Sequence, residues 1–163
     1  MRRKDRQIEE RETLQAIMKS CRICSLAFQG AEYPYVIPLN FGAVWEGDSV
    51  RLYFHGAGDG MKIQRMDADS RVAFSMAVER EFLLKEPACK STMRYASICG
   101  RGRLGRVTEP EEIKRGLASI MHQYDPEHES FNFEEAMVAS TQLLCLTVEA
   151  MTGKSNDPEV LKR

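Results

Sequence analysis

The 163-residue chain has no apolar stretch approaching the ~20 residues that a membrane-spanning helix needs. Its basic start, Met1-Arg2-Arg3-Lys4-Asp5-Arg6, leads into mostly polar residues 7–12, so the apolar core of a secretory signal is missing. Net charge is also scarce. The 23 Lys and Arg against 24 Asp and Glu leave a formal −1, which argues against a sequence-wide attraction to nucleic acid. The basic start reads as solvated surface, since Asp5, Glu9 and Glu10 follow at once. The five cysteines are an odd number in a chain long enough to bury its own core, which points to reduced thiols and not to a disulfide framework. No repeat and no Gly/Ser-rich linker divides the chain. These absences predict one domain over residues 1–163, expected in the cytoplasm, with neither membrane nor nucleic acid as a partner.

What is present is a succession of short β patterns with helices between them. Residues 8–20 place Ile8, Leu14, Ile17 and Met18 at helical spacing and predict an N-terminal helix within residues 1–20. Strands are predicted at 23–28, 35–45 and 49–54. The last two are joined by Glu46-Gly47-Asp48, a three-residue hairpin loop. A glycine-rich loop, residues 55–60, opens a short helix at 61–66, and a strand follows at 71–78. Residues 79–90 are charged, contain Pro87, and read as a mobile loop. Residues 91–107 form a long strand in which Gly100, Gly102 and Gly105 signal a bulge, a bend or a close backbone approach. Thr108, Pro110 and Glu111 predict a capped helix start and a helix over 109–124. A short helix at 133–139 and an apolar strand at 142–151 precede a frayed polar tail, residues 152–163. Six strands linked mainly by hairpins favour a closed antiparallel barrel with added helices over a doubly wound sheet.

The most informative segment is the loop His55-Gly56-Ala57-Gly58-Asp59-Gly60 and the helix that carries Lys62. Unpaired N–H groups and the helix dipole make such a helix start attractive to a phosphate, and the lysine adds a full charge. The same residues also fit a plain glycine turn with a surface lysine. The Rossmann glycine spacing is absent. Gly153-Lys154-Ser155 ends like a P-loop, but Val148 stands where its first glycine belongs.

Several segments in order resemble the pyridoxamine 5′-phosphate oxidase-related FMN-binding proteins. They are Pro34-Tyr35-Val36-Ile37-Pro38-Leu39-Asn40-Phe41-Gly42, Leu52-Tyr53-Phe54-His55-Gly56-Ala57 and Gly60-Met61-Lys62-Ile63. Arg94-Tyr95-Ala96-Ser97, Met151-Thr152-Gly153-Lys154 and the opening Met1-Arg2-Arg3-Lys4 look like the branch that contains the 5-nitroimidazole resistance proteins. The resemblance implies a six-stranded split barrel that binds FMN without a covalent link at a homodimer interface. It implies that Pro38, Leu39 and Asn40 lie along the flavin ring edge. Phe54 and His55 would end a strand beside the ring, and Lys62 would bind the phosphate. Tyr95 and Ser97 would reach the cofactor from the neighbouring subunit. The implied activity is that of an FMN-dependent oxidoreductase of the nitroreductase-like type, with His55 bordering the reacting pocket as a candidate catalytic residue. A barrel that stores or senses flavin, or that binds haem through His55, is the alternative.

Each of these residues has a structural reading as well. Pro38 fits an edge or a bulge, Tyr53 and Phe54 fit core, and His55 fits a hydrogen-bonded structural histidine. Cys21-Arg22-Ile23-Cys24 is a lone CxxC without the second pair that a zinc site needs, and Cys89, Cys99, Cys145, His122 and His128 fall at no ligand spacing, so no metal is expected. Arg101, Arg103 and Arg106 alternate along a strand and read as its solvent face.

Overall fold

The computed structural model describes residues 3–161, so Met1 and Arg2 of the basic start and the last two residues of the tail lie outside the described residues. The strands are β1 (Gln7–Ile8), β2 (Cys24–Phe28), β3 (Tyr35–Leu39), β4 (Gly42–Glu46), β5 (Ser49–Gly56), β6 (Arg71–Leu83), β7 (Thr92–Val107) and β8 (Gln142–Ser155). The helices are α1 (Arg11–Ser20), α2 (Met61–Ala68), α3 (Pro110–Tyr124), α4 (Glu135–Ser140) and α5 (Pro158–Leu161). The sheet runs β3-β2-β6-β7-β8-β5-β4, every described pairing is antiparallel, and β1 adds to β8. Its two outer strands, β3 and β4, are consecutive in the chain. The residues between them, Asn40 and Phe41, therefore close the sheet covalently where hydrogen bonds do not, which makes it a split barrel.

Alternation builds the core. Leu26 and Phe28 of β2, Val50, Leu52 and Phe54 of β5, Val72, Phe74 and Met76 of β6, Ile98 and Leu104 of β7, and Leu144 and Leu146 of β8 all turn inward. Leu14, Ile17 and Met18 of α1 and Ile63 and Met66 of α2 join the same cluster. A smaller cluster lies outside the barrel, where Tyr53, Val107 and Leu143 meet Ile113 and Ile120 of α3 and Val138 of α4. Gly116 permits that contact, because a Cβ there would come within 2.4 Å of Leu143 and 2.7 Å of the Tyr53 ring.

The barrel agrees with expectation; two local changes raise the strand count from six to eight, and β6 and β8 run longer than expected. The predicted strand 35–45 breaks at Asn40 because its first half pairs with β2 and its second half with β5. Residues 79–83 are strand and not loop. The register of β6 with β7 continues past a bulge at Arg80 to Leu83↔Thr92, so the connection shrinks to residues 84–91. The tail does not fray at Thr152, because Gly153 and Lys154 pair on one side with Ile8 and Gln7 and on the other with Ile98 and Ser97. That pairing also makes Gln7–Ile8 a strand, so the first helix starts at Arg11 and not at residue 8. The cap of α3 is Glu109, without a side-chain hydrogen bond. Pro110 fixes the first helical φ, which leaves Thr108 one residue too far back. The glycine signal in β7 marks a close backbone approach, since a Cβ on Gly102 would lie 2.1 Å from the Thr147 carbonyl oxygen, and it coincides with a register shift between Arg101 and Gly102 that leaves Glu149 of β8 as the extra residue.

Candidate functional site

β5 ends at Gly56, and the glycine-rich turn delivers the chain into α2. Gly60 has φ of 97°, the left-handed region that favours glycine, and it starts α2 with no side-chain cap. The first N–H groups of the helix therefore lack a capping side chain. Lys62 folds back from this turn until its Nζ rests against Gly56, where an added Cβ would be 2.5 Å away. Lys62 is only 9% exposed and has no ion pair among the described residues. Burial holds its ammonium below the ordinary lysine range.

Arg65 stands three residues further along the same helix and is a member of this group that the sequence reading missed. Its Nε is buried without a hydrogen-bond partner. The signal was present in the helix phase, since residues three apart share a face. The buried Lys62 ammonium at the uncapped helix start forms an electropositive niche, and Arg65 adds a second cation on the same helix face, in the last turn of α2. Its chemistry fits a phosphate dianion.

The ring-edge residues gather at the barrel joint. Gly42 pairs with Tyr53, so Asn40 and His55 both lie two residues beyond the last β4–β5 pair, while His55 stays paired with Leu143 of β8. Pro38 and Asn40 are exposed and Leu39 is half-buried. The Asn40 amide donates to the Tyr124 hydroxyl over 2.6 Å, and that hydroxyl donates to the Arg22 carbonyl, which fixes the joint against α3. His55 is exposed at the rim, whereas the Phe54 side chain is fully buried in the barrel, so only the Phe54 main chain can face a ligand.

Tyr95 and Ser97 do not join this group within one chain. They lie on β7, three strands from β3 in the sheet order, which is ~14 Å at about 4.8 Å per strand. Ser97 sits beside Lys154, donating to its carbonyl over 3.4 Å, and the Lys154 ammonium lies 5.8 Å from the Tyr95 ring centroid.

The remaining candidates have structural explanations. Arg103 and Arg106 pair with Glu149 (3.1 Å) and Asp67 (2.5 Å) on the barrel surface. Cys21 and Cys24 are fully buried free thiols, and burial pushes them up to about 11 and about 12, so neither is a thiolate at neutral pH. No group of three or more metal-ligating side chains converges among the described residues. No described helix is long and apolar enough to cross a membrane.

Comparison with known proteins sets this geometry in context. A candidate 5-nitroimidazole antibiotic resistance protein from Bacteroides thetaiotaomicron matches with a TM-score of 0.76 and 27% identity, over 91% of this chain and 86% of its own. An FAD and heme binding protein from Mycobacterium smegmatis matches at 0.77 and 17% identity, over 96% and 78% of the two chains. A flavocytochrome from Azotobacter vinelandii matches at 0.71 and 15% identity, over 96% and 74%. At the two lower identities the likeness is one of fold. No curated protein matches the chain by sequence. The family model described as pyridoxamine 5′-phosphate oxidase matches residues 10–155, which take in β2–β8 and α1–α4, and the chain belongs to that family.

Proposed function

We propose that the protein is an FMN-dependent oxidoreductase of the nitroreductase-like type, working as a homodimer with flavin at the subunit interface. The observation that carries this reading is Lys62, a buried ammonium with no carboxylate partner, held against Gly56 at the start of α2. Keeping an unpaired charge this far out of water is costly unless an anion compensates it. Lys62 and Arg65 would hold the phosphate. Pro38, Leu39 and Asn40 would offer main-chain groups to the ring edge, and exposed His55 would move a proton at the substrate. The flavin supplies the hydride and electron transfer when bound, while the protein positions and tunes it.

Two features support the dimer. The outer face of the sheet carries small side chains in register, with Ser25 beside Ser75 beside Cys99 and Ala27 beside Ala73, which leaves room for a close approach by another sheet. Ser97 pairs with Lys154 and His55 with Leu143, eleven residues apart along β8, so Tyr95 and Ser97 lie toward the opposite end of that strand from the turn that leads to Lys62, and a partner copy would present them. The nitroreductase-like part of the proposal draws on the likeness to the Bacteroides protein described as acting in 5-nitroimidazole antibiotic resistance, for which reduction of the nitro group is the chemistry we propose.

The test is anaerobic mixing of the FMN-loaded protein with NADH or NADPH, followed by a nitroimidazole. The reading predicts bleaching of the flavin absorbance by the donor and recovery on adding the nitro compound. Flavin that no nicotinamide donor reduces would instead identify a storage or sensing protein. A haem-binding reading is favoured by exposed His55 and by the heme-binding neighbour, and a Soret band in the purified protein would mark it.

A further inference from the structure

A cleft of about 700 Å3 opens between α1, β4 and α3, and none of the eight expected cofactor residues lines it. Helix α3 lies along β4. At one end Gly42 touches α3, where a Cβ would be 2.3 Å from the Ser119 backbone, and at the other end Arg115 pairs with Glu46 over 2.7 Å. Between these contacts the small side chains of Ala43 and Ala118 leave the space open, and Met18 of α1 and Trp45 of β4 supply apolar walls. The Gln123 amide ties α3 to the end of α1, donating to the Met18 carbonyl over 3.0 Å and to the Cys21 carbonyl over 2.7 Å, so the cleft is held open by fixed elements. Its volume lies within the range of about 300–1,000 Å3 usual for small-molecule sites.

The charge on the rim has one sign. Lys19, Arg22 and Arg115 line the cleft and no Asp or Glu does; Arg115 is taken up by Glu46 at one end, which leaves Lys19 and Arg22 as the cations open to a ligand. Lys19 has no ion pair among the described residues. Arg22 donates only to backbone carbonyls, those of Gln123 (2.9 Å) and Tyr124 (3.4 Å), and stacks on the Tyr124 ring. We propose that this cleft is a second ligand site, separate from the flavin, for a small amphipathic carboxylate. Its apolar body lies along Met18, Ala43, Trp45 and Ala118, and its carboxylate meets Lys19 and Arg22. The inference does not depend on the flavin reading.

Trp45 is the single tryptophan of the chain and lines the cleft, so its emission responds to a ligand there; it also lines a smaller neighbouring pocket with Arg11, which Ala118 does not line, so Ala118→Phe separates the two. The experiment titrates the purified protein with decanoate, decanol and decylamine and follows that emission. Decanoate is expected to give a saturable shift with the highest affinity of the three. Lys19→Glu is expected to weaken decanoate by about fivefold, the scale of one exposed ion pair, and to leave decanol unchanged. Ala118→Phe fills the cleft and is expected to abolish the decanoate shift. If that variant fails to fold, the ligand series on the unaltered protein decides. The absence of a saturable shift overturns the proposal. So does equal affinity for decanoate and either analogue, or unchanged decanoate affinity in Lys19→Glu.

Discussion

Lys62 is buried without an ion pair among the described residues, and in the proposed function its charge meets the flavin phosphate. Two unit charges ~4 Å apart at an effective dielectric of ~20 attract by roughly 4 kcal/mol before desolvation is deducted. Lys62→Ala is therefore expected to weaken FMN binding by about tenfold or more in a fluorescence titration, and unchanged affinity would put the phosphate elsewhere. Gly56→Ala tests the same contact from the other side. Its new Cβ would meet Nζ at 2.5 Å, so the ammonium must move and FMN affinity is expected to fall in the same direction. The lysine also carries a pH signature. Burial lowers its pKa from 10.5, so in the window just below 10.5 the unfolded chain holds more protons than the folded one, and stability rises with pH there. At pH 7 the full cost of the buried charge is present. Lys62→Met in the flavin-free protein is therefore expected to be more stable than the parent at pH 7, with an advantage that shrinks as pH approaches 10.5. Urea unfolding at a series of pH values measures this, and parallel curves for the two proteins would contradict it. Lys62 was legible in the sequence because a glycine loop feeding a helix is a local pattern. Arg65 was not singled out, because a lone arginine on a short helix acquires meaning only when its Nε is found buried and unpaired.

Among the elements, the hairpin of β6 and β7 depends on a clamp from the chain's end. The Asn156 side chain accepts from the Tyr95 N–H (2.9 Å) and donates to the Met93 carbonyl (2.8 Å). Asp157, almost fully buried, pairs with Arg80 at the β6 bulge (2.9 Å) and accepts from the Glu159 N–H (3.1 Å). Asn156→Ala leaves the Tyr95 N–H and the Met93 carbonyl without these partners and is expected to cost about 1–3 kcal/mol in urea unfolding, with faster amide exchange at Tyr95. A cost near zero would show that the clamp is dispensable. This element also shows where sequence patterns stop. Residues 79–83 are charged because the hairpin arm there has little core to cover, so apolar alternation is weak and the cross-strand register alone makes them strand. The strand 35–45 reads as continuous because its break at Asn40 is set by a change of partner, from β2 to β5, that no local residue announces.

At the scale of the whole molecule, closing the sheet through the Asn40–Phe41 joint leaves a broad outer face on β2, β6 and β7 that the chain's own helices do not use. Ala73 is exposed near the middle of that face, paired with Ala27 and Arg101. Ala73→Glu would place two like charges together across a symmetric interface. If the proposed dimer forms through this face, the variant is expected to sediment as a monomer where the parent sediments as a dimer, and to bind FMN tenfold or more weakly in the same preparation. Loss of the dimer with intact FMN affinity would mean that one chain builds the cofactor site alone. The barrel class was legible because hairpins and alternating strands are short-range signals. The assembly entered only through family resemblance, since small side chains on an outer face carry no sequence pattern of their own.

The most direct test is the visible absorbance spectrum of the purified protein, repeated after adding FMN and dialysing, with Lys62→Ala treated in parallel. Flavin bands are expected to survive dialysis in the parent and to be lost or strongly reduced in the variant. A spectrum without flavin in the parent, before and after FMN, would contradict the flavin reading.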